Sequence, residues 1–461
     1  MNRIFIIILI IAICSCKETE QFEKSNFIFL LTDDQRYDAF GEAGNDIIQT
    51  PNIDRLSKDG IRFSNAYVTT SICCTSRASI MSGQYARRHG INDFVTSFGE
   101  EEWQQTYPMV LKNAGYRIGF IGKFGIGEEK DMPHESFDYW RAFGGQGRYE
   151  TVDSAGNDIH LTRLMGQMAL EFIREPSEKP FCLSISFKAP HCQDGDPRQF
   201  IYDSAYKDLY NNILIPEVEN GGDIYYEKFP EKFRLKNEAR NRWDVRFSTP
   251  ELYQEMVKGY YLLIYGVDQV LGRVRSELKD LGVDQNTVFI FIGDNGFYLG
   301  EHGLAGKWYG HEESIRVPLI IYNPLETPGR KIVDEMVLNI DIAPTIINLA
   351  GIKIPERMQG KSLLPVISAP HGDWRNEFFY EHAFIHATWG TKPMIPGVEG
   401  VVEKDFKYMK YLHDTNDPIF EELFNVKNDP SEQKNLIEDE AFQEKLLELK
   451  QKVEDYKVSL Q

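Results

Sequence analysis

The 461-residue sequence predicts an α/β fold: a large, mostly parallel, doubly wound sheet flanked by helices, with a small C-terminal antiparallel α+β subdomain. Strand patterns alternate with amphipathic helical patterns through most of the chain, which is typical of parallel sheets. The main strands are continuously apolar, as strands buried on both faces are. Polar side chains that suit binding or catalysis come directly after these strands, where ligands bind in such sheets.

The start of the chain has the pattern of a targeting segment. Arg3 precedes an apolar run over 4–13, which is too short to span a bilayer as a stable helix. The run ends in a segment that resembles a bacterial lipobox, with Cys16 as the lipidated residue. We therefore expect a signal peptide over 1–16 and a bacterial outer-membrane lipoprotein, at the cell surface or in the periplasm, held to the membrane by its lipid alone. An ordinary cleaved signal peptide is the alternative.

The composition argues against nucleic acid as a partner. Asp and Glu outnumber Lys and Arg, 70 to 51, and the formal net charge is -19. Binding to phosphate backbones needs clustered cations, so an anionic ligand here requires a local basic pocket. Four cysteines outside the leader are too few for a disulfide scaffold, and we expect free thiols at Cys182 and Cys192.

Five buried strands are predicted in a main domain that we place at 25–370. They cover residues 26–31, 115–121, 181–187, 287–292 and 317–322. Among the helices, one opens at Pro51. Another covers 161–174, where Leu164, Met168 and Phe172 recur at helical spacing.

A long amphipathic helix is predicted over 250–281. Its core face carries Tyr260, Leu263, Val267 and Val270. Residues 128–160 and 193–250 lack clean periodicity. We expect loops in the first segment and an elaborate insertion near the site in the second.

The sequence pattern changes in the last part of the chain, which we assign to a C-terminal subdomain at 371–461. Residues 378–382 and 406–411 are predicted to be antiparallel strands. The segment Asp429-Pro430-Ser431-Glu432 is predicted to cap a final helix.

Carboxylates and an amide follow the first and fourth strands. Asp33 and Asp34 come at the end of the first, and adjacent carboxylates repel unless a cation or strong donors lie between them. Asp294 and Asn295 come at the end of the fourth. Hard oxygen ligands of this kind suit Ca²⁺. For Asp33 and Asp34, a helix cap or a turn is the alternative interpretation.

The segment Cys73-Cys74-Thr75-Ser76-Arg77 is predicted to be a tight turn that feeds a helix, with Ser and Thr at the cap. A helix N-terminus favours negative charge, and a thiol placed there ionises more easily. Arg77 adds a second positive element. The segment is suited to hold a nucleophile against an anion, and a buried cysteine pair in a capping turn is the alternative.

This segment, with the following Met81-Ser82-Gly83, resembles the signature of the type I, formylglycine-dependent sulfatases of the alkaline-phosphatase-like superfamily. In that family the first Cys, here Cys73, is converted to formylglycine (3-oxoalanine). Thr75 stands where the family most often has Pro. The resemblance covers essentially the whole mature chain, because further polar residues match in order and spacing: Asp33, Asp34, Lys123, His191, Asp294, Asn295 and Lys307.

The resemblance implies one bound Ca²⁺ and a covalent mechanism. The implied metal ligands are Asp33, Asp34, Asp294, Asn295 and the modified Cys73. A hydroxyl of the hydrated formylglycine attacks sulfur and the alcohol leaves. Sulfate is then expelled from residue 73 as the aldehyde returns.

The remaining matched residues are implied to handle charge and protons. Arg77, Lys123 and Lys307 would hold the sulfate, and His191 would protonate the leaving oxygen. The family usually has Gly-Lys-Trp-His where this chain has Gly122-Lys123-Phe124-Gly125. The His that contacts the formylglycine hydroxyl is therefore absent, and His302, His311 or a water molecule are candidates to replace it.

The resemblance further implies a sulfatase acting on a sulfated poly- or oligosaccharide, with ulvan or carrageenan from algae as leading examples and glycosaminoglycans as the alternative. His302, His382 and His386 are candidates for substrate binding. A formylglycine-generating enzyme or an anaerobic sulfatase-maturating enzyme is the implied protein partner. A phosphoester hydrolase and a non-catalytic glycan-binding lipoprotein are the competing interpretations of the same fold.

Overall fold

The structure is a computed structural model that describes residues 24–325, 331–369, 372–383, 395–412 and 418–460. The strands are β1 (Asn26–Asp33), β2 (Ile61–Phe63), β3 (Ala66–Tyr67), β4 (Arg117–Lys123), β5 (Tyr139–Phe143), β6 (Glu150–Val152), β7 (Asp158–His160), β8 (Phe181–Pro190), β9 (Thr287–Gly293), β10 (Tyr298–Leu299), β11 (Ala305–Gly306), β12 (Leu319–Tyr322), β13 (Lys331–Val333), β14 (Val337–Leu338), β15 (Glu377–His382), β16 (Gly397–Glu403), β17 (Lys407–Leu412) and β18 (Pro418–Phe424).

The α-helices are α1 (Pro51–Asp59), α2 (Cys73–Ser82), α3 (Ala86–His89), α4 (Glu100–Trp103), α5 (Tyr107–Asn113), α6 (Leu161–Arg174), α7 (Asp223–Tyr226), α8 (Glu231–Arg234), α9 (Glu238–Arg246), α10 (Pro250–Asp280), α11 (Glu312–Ile315), α12 (Ile342–Leu349), α13 (Leu364–Ser368) and α14 (Gln443–Ser459). Short 3-10 helices lie at Gly41–Ala43, Glu129–Asp131, His134–Ser136, Ser204–Tyr206, Asp284–Asn286, Asn339–Asp341 and Glu440–Phe442.

The main sheet confirms the predicted fold class. Within the described residues it has eight strands in the order β13-β2-β12-β9-β1-β8-β4-β5. The pairs along β9-β1-β8-β4-β5 are all parallel. Only β12, which corresponds to the fifth predicted strand, runs antiparallel to both of its neighbours. The sheet is therefore mostly parallel, and the strand ends at its centre point the same way.

The central strands are buried on both faces, as their continuous apolar sequences require. In β1, Phe27, Phe29 and Leu31 pack into one apolar cluster, whereas Ile28 and Leu30 pack into a second cluster on the opposite face. Burial of each such side chain contributes roughly 1.5–3 kcal/mol. Helices cover both faces, so this is a doubly wound sheet.

The helix α10 covers one of these faces. The predicted core face is confirmed, because Tyr260, Leu263, Val267 and Val270 are all buried. The predicted bounds of α6 are confirmed too. Of the three residues whose spacing predicted this helix, Phe172 is buried, and Leu164 and Met168 are half-buried. Met165 and Ala169 complete the buried face.

The C-terminal part forms a separate antiparallel sheet, β15-β16-β17-β18, against which α14 packs. Both predicted strands of this region are confirmed. Phe378 and Tyr408 of this sheet share an apolar cluster with Met81 of α2, so the two sheets bury a common core. The exact domain boundaries stay a prediction.

In the loops, two local predictions are wrong. Residues 128–160 are not all loops, because β5 joins the main sheet and β6 pairs with β7 in a hairpin. The side chains of β5 are mostly half-buried at the sheet edge, so their sequence shows no strand periodicity. The second error concerns Asp429, which does not cap the last helix. Its carboxylate accepts from the Lys434 backbone N–H at 2.8 Å and closes a turn, and α14 begins later.

Among the described residues, no helix combines the length and the apolarity that crossing a bilayer requires.

Candidate active site

Four neighbouring strands of the main sheet end side by side. In the order β9, β1, β8 and β4, the last residues are Gly293, Asp33, Pro190 and Lys123. The residues that follow three of these strands, namely Asp294, Asp34 and His191, extend the same row. Polar groups that lie up to 261 positions apart in sequence are thereby brought into contact, as between Asp34 and Asn295.

The helix α2 brings Cys73 to this row. The helix begins at Cys73 itself, and its cap residue Ile72 makes no side-chain hydrogen bond, so the predicted Ser or Thr cap is wrong. Ser76 lies inside the helix, where its Oγ accepts from Asn339 Nδ2 at 2.9 Å. All residues of α2 are buried. The nucleophile position is therefore set by a helix that is packed on every side.

Arg77, one turn after Cys73, is held rigidly by this cluster. Its Nε donates to Asp294 Oδ2 at 2.9 Å, and Nη1 donates to the Lys123 carbonyl at 2.8 Å and to Ser186 Oγ. Its Nη2 lies 2.8 Å from Asp294 Oδ2 without hydrogen-bond geometry and 3.5 Å from Asp33 Oδ2. The planar guanidinium is thus fixed on two sides and keeps N–H groups available for an anion.

Lys123 and Lys307 add two positive charges near Cys73. Lys123 Nζ lies 2.5 Å from Asp33 Oδ2, and Lys307 Nζ donates to Asp34 Oδ1. Burial by itself would lower the pKa of both lysines, but the nearby carboxylates and Cys73 raise it above the ordinary lysine value. Both lysines therefore stay charged next to the nucleophile position.

The backbone at Asp34 is held in the left-handed region, with φ of 68°. Tyr260 Oη donates to the Asp34 carbonyl at 2.7 Å, and the Asp34 N–H donates to Asp294 Oδ1 at 3.1 Å. Asn295 Nδ2 donates to Asp34 Oδ1 at 2.7 Å. A non-glycine residue costs about 1–2 kcal/mol in this conformation, and the surrounding bonds hold it there.

The three carboxylates of the cluster affect one another. Burial, together with the negative charge of Asp33, raises the pKa of Asp294 to about 7. The positive charges of Arg77 and Lys307 oppose this rise. Burial would also raise the pKa of Asp33, but Lys123, His191 and Arg77 together lower it well below the ordinary value. Such crowding of acidic groups is stabilised by a bound cation.

The cluster has the donor set of a calcium site. Asp33 Oδ1 and Asn295 Oδ1 are buried without a hydrogen-bond partner among the described residues. Asp33 and Asp34 also belong, with His191, to a group whose ligand atoms lie within 4.8 Å of one another. Oxygen atoms that are buried and lack donors suit a hard cation such as Ca²⁺. The predicted ligands Asp33, Asp34, Asp294 and Asn295 therefore fit the metal that the sequence implies.

His191 also contacts the carboxylate cluster. Its Nδ1 donates to the Cys192 carbonyl at 2.6 Å, and its Nε2 lies 3.5 Å from Asp34 Oδ2. Burial lowers the pKa of His191 to about 4, against the opposite effect of Asp34 and Asp33. The bond at Nδ1 fixes the ring so that Nε2 faces the carboxylate cluster.

The predicted insertion at 193–250 contacts this histidine segment. Asp194 Oδ1 accepts from Cys192 Sγ at 3.3 Å and from Arg246 at 2.9 Å, and it lies 3.2 Å from Arg242. Arg242 in turn lies over the ring of Trp308, which follows the cationic Lys307. The insertion thus places charged groups beside His191, and one of them, Arg242, packs against Trp308.

The family of the chain follows from its match to known sequences. A family model described as Sulfatase matches residues 25–352. This chain belongs to the sulfatase family. A second model, described as N-sulphoglucosamine sulphohydrolase, C-terminal, matches residues 300–459 of the sulfatase. The enzyme is a sulfuric ester hydrolase, and the family generally uses formylglycine and Ca²⁺.

Similar proteins share most of the length of this sulfatase. An N-acetylglucosamine-6-O-sulfatase of Bacteroides thetaiotaomicron is 28% identical over 97% of this chain and 88% of its own. An ulvan-active sulfatase of Formosa agariphila is 26% identical over 94% of this chain and 82% of its own. The solved structure of BT4656 in complex with its substrate D-glucosamine-2-N,6-O-disulfate is 27% identical, with a TM-score of 0.78, over 95% of this chain and 98% of that chain.

Other predicted residues of the sulfatase lie elsewhere. His302 stacks on His311 with ring centroids 4.2 Å apart, and the Nε2 of His302 lies 3.8 Å from Glu313 Oε2. His311 contacts Tyr298 and Glu422, the latter from β18. These contacts form a buried cluster between the main domain and the C-terminal sheet, and they include none of the carboxylates around Cys73.

The last candidates lie at the end of β15 or outside the described residues. His382 is the buried final residue of β15. Both His386 and the lipidation candidate Cys16 lie outside the described residues. The described cysteines, Cys73, Cys74, Cys182 and Cys192, are free and buried.

One site residue was missed from the sequence. Gln146, in the loop that follows β5, accepts from Lys123 Nζ at 2.8 Å through Oε1. The residue follows the carboxyl end of a parallel strand, which is the signal that identified the other groups. It was missed because the half-buried sequence of β5 was not recognised as a strand.

Proposed function

We propose that this sulfatase hydrolyses sulfate esters of a carbohydrate, with the formylglycine form of residue 73 as the nucleophile. One observation supports this most directly. Cys73 lies at the first turn of the buried helix that also carries Arg77, and Arg77, Lys123 and Lys307 all pair with the carboxylate cluster at this end of the sheet. Three fixed cations in a buried site are suited to hold a sulfate group against a nucleophile.

The bound metal would stabilise the charge of the sulfate, and the modified residue 73 would supply the nucleophile. Asp33, Asp34, Asp294 and Asn295 would hold Ca²⁺, which supplies Lewis-acid stabilisation of the sulfate charge when bound. The hydrated aldehyde at position 73 would supply a hydroxyl nucleophile. A formylglycine-generating or anaerobic sulfatase-maturating enzyme is the partner required to produce it.

The side chains of the protein position the sulfate and move the proton. The free N–H groups of Arg77 Nη2 and the ammonium groups of Lys123 and Lys307 bind the sulfate oxygens as negative charge develops. His191 gives a proton from Nε2 to the departing sugar oxygen. Because burial lowers the pKa of His191 to about 4, the ring takes up this proton only when the anionic sulfate ester lies beside it, and the Asp34 carboxylate, 3.5 Å away, favours the protonated form.

Replacement of His191 by alanine is expected to separate good from poor leaving groups. For a sugar sulfate, whose alkoxide is a poor leaving group, kcat/KM should fall about 10²–10⁴-fold because the proton donor is lost. For an aryl sulfate with an acidic phenol, the fall should be less than about 10-fold. Steady-state kinetics on both esters measures this difference.

His134→Ala is the matched control, because the side chain of His134 is 65% exposed. This variant should keep wild-type kinetics on both esters. Equal losses on the sugar and the aryl ester in His191→Ala would contradict the assignment of His191 as the acid.

The relatives support two classes of carbohydrate. A 6-O-sulfated glucosamine is our first substrate candidate, because the glucosamine-active relatives match this chain at 28% and 27% identity over nearly its full length. Oligosaccharides of ulvan are the second, because ulvan-active sulfatases match at 26%. We propose that Asp194 and Arg242, which pair with each other beside His191, contact the sugar.

The test uses protein matured in a host that contains the modifying enzyme. Sulfate release is measured by ion chromatography from N-acetylglucosamine-6-sulfate, glucosamine-2-N,6-O-disulfate, and ulvan and carrageenan oligosaccharides. We expect release from the glucosamine 6-sulfates. Release from the algal oligosaccharides alone would overturn the first candidate, and hydrolysis of phosphate esters in preference to every sulfate ester would overturn the proposed function.

We also propose that the protein is a lipoprotein exported from the cytoplasm, with Cys16 as its lipidated residue. The supporting pattern is the apolar run that ends in Cys14-Ser15-Cys16. Cells fed a labelled fatty acid should label the wild-type protein and not the variant Cys16→Ala. Cys14→Ala serves as the control and should keep the label. Equal labelling of wild type and Cys16→Ala would contradict lipidation at this residue.

A further inference from the structure

The side chain of Gln146 borders the sulfate-binding lysine. The strand β5 pairs in parallel with β4, so the loop after β5 lies beside Lys123 at the end of β4. Gln146 Oε1 accepts from Lys123 Nζ at 2.8 Å. The side chain is half-buried. A neutral amide therefore lies at the rim of the site, in contact with one of its cations.

The hydrogen bonds of Lys123 leave room for a third partner. An ammonium group has three donors. One is directed to Asp33 Oδ2 at 2.5 Å and a second to Gln146 Oε1. These two acceptors fix the ammonium, so its third N–H has a defined direction. A sulfate oxygen is the acceptor that the proposed function supplies.

The amide nitrogen of Gln146 is also available. Within the described part of the chain, Gln146 makes only the bond from Lys123, and that bond uses its oxygen. Its Nε2 therefore has two N–H groups free to donate. Donors of this kind strengthen binding of an anion more than binding of a neutral group.

Position 125 contributes no side chain to this space. Gly125 has φ of 74°, and a Cβ there would lie 2.9 Å from Arg77 Cδ and 3.5 Å from Lys123 Cε. Any other residue would be strained in this backbone conformation, and its Cβ would press on Arg77. The polar group that completes this side of the cluster therefore comes from the β5 loop.

We propose that Gln146 is a further sulfate-binding residue of this enzyme: its carbonyl oxygen positions the ammonium of Lys123, and its amide N–H groups donate to a sulfate oxygen. This inference rests on the proposed function. It assigns a role to a residue that lies outside the matched family motifs.

Three variants of the matured full-length protein test the proposal. In Gln146→Ala both the acceptor and the donors are lost, and we expect kcat/KM for the sulfate ester to fall about 10- to 100-fold. In Gln146→Glu the carboxylate pairs with Lys123 and repels the anion, so the fall should be larger. Gln146→Asn keeps the amide and should recover part of the activity.

The inhibition constant of inorganic sulfate is the second readout, because a purely structural role would not change it selectively. It should rise in parallel with the loss of kcat/KM, while the melting temperature stays within about 2 °C of wild type. Gln104→Ala, which removes an exposed glutamine, is the control and should match wild type in all three measurements.

The outcomes separate this proposal from the proposed function. An active wild type whose kcat/KM and sulfate inhibition are unchanged in Gln146→Ala and Gln146→Glu would overturn the role of Gln146 alone. A matured wild type that neither cleaves any sulfate ester nor binds sulfate would overturn the proposed function. Loss of sulfate binding in Gln146→Glu with partial recovery in Gln146→Asn supports the proposal.

Discussion

Cys73→Ser is expected to lower kcat for sulfate ester hydrolysis at least about 10⁴-fold in protein made with the maturation enzyme. A serine hydroxyl can attack sulfur, but the sulfate ester it forms has no second hydroxyl on the same carbon to expel the sulfate. The cations Arg77, Lys123 and Lys307 remain in place around position 73. The loss therefore measures the nucleophile and not the binding site.

Cys74→Ser is the matched control for this experiment. Both cysteines are buried and adjacent in the first turn of α2, but Cys73 interacts electrostatically with all three of Arg77, Lys123 and Lys307, whereas Cys74 hydrogen-bonds its neighbour Thr75 and interacts with Lys123. The control should keep activity within about 10-fold of wild type. Mass spectrometry of the peptide should show the shift from thiol to aldehyde in wild type and in Cys74→Ser. An unmodified Cys73 thiol in fully active protein would contradict the proposed nucleophile.

The parts of the site that were predicted from sequence share a simple physical origin. Asp33, Lys123 and Asp294 each come at the end of a buried strand, and a continuous apolar run marks such a strand clearly. The parallel order of the strands then places the ends together without knowledge of any contact. The fold class and most of the candidate site follow from this one argument.

The errors arise where burial is partial or where tertiary contacts replace local ones. The strand β5 is half-buried at the edge, so Gln146 was not recognised as following a strand. The N-terminus of α2 has no side-chain cap. Ser76 lies inside the helix instead, where its hydroxyl accepts a hydrogen bond from Asn339, 263 positions away in sequence. Local rules for caps describe isolated helices, and packing overrides them here.

His302 illustrates a further limit of the sequence. A histidine in the polar, Gly-rich segment between a site strand, β9, and Lys307 is a reasonable candidate for a missing base. The structure instead stacks it on His311, among glutamates of the domain interface. The direction of a loop side chain depends on the local backbone conformation, and the sequence pattern does not determine it. At His302 this conformation is left-handed, with φ of 56°.

Removal of calcium is expected to inactivate the enzyme and to destabilise it. The carboxylates of Asp33, Asp34 and Asp294 crowd one buried cluster, and a divalent cation offsets their repulsion. Ca²⁺ at 100 times its dissociation constant should add about 2.7 kcal/mol to the free energy of unfolding. Treatment with a chelator should therefore lower the melting temperature by several degrees, and added Ca²⁺ should restore both stability and activity.

Asp34→Asn sharpens this experiment, because asparagine tolerates the left-handed backbone that Asp34 adopts, with φ of 68°. The shape of the site is kept and one ligand charge is lost. We expect calcium affinity, measured by titration calorimetry, to fall at least about 100-fold, since 2.7 kcal/mol or more of charge interaction is removed. The calcium-dependent rise in melting temperature should disappear at the same metal concentration.

Asp59→Asn is the control for the loss of one paired carboxylate charge. Asp59 pairs with Arg55 and Arg275 at the end of α1, and none of these residues contacts the carboxylate cluster. This variant should bind calcium as wild type does, even where its own stability falls slightly. A wild-type protein whose melting temperature and activity are unchanged by a chelator would show that the carboxylate cluster is balanced by Arg77, Lys123 and Lys307 alone, and the calcium assignment would then be wrong.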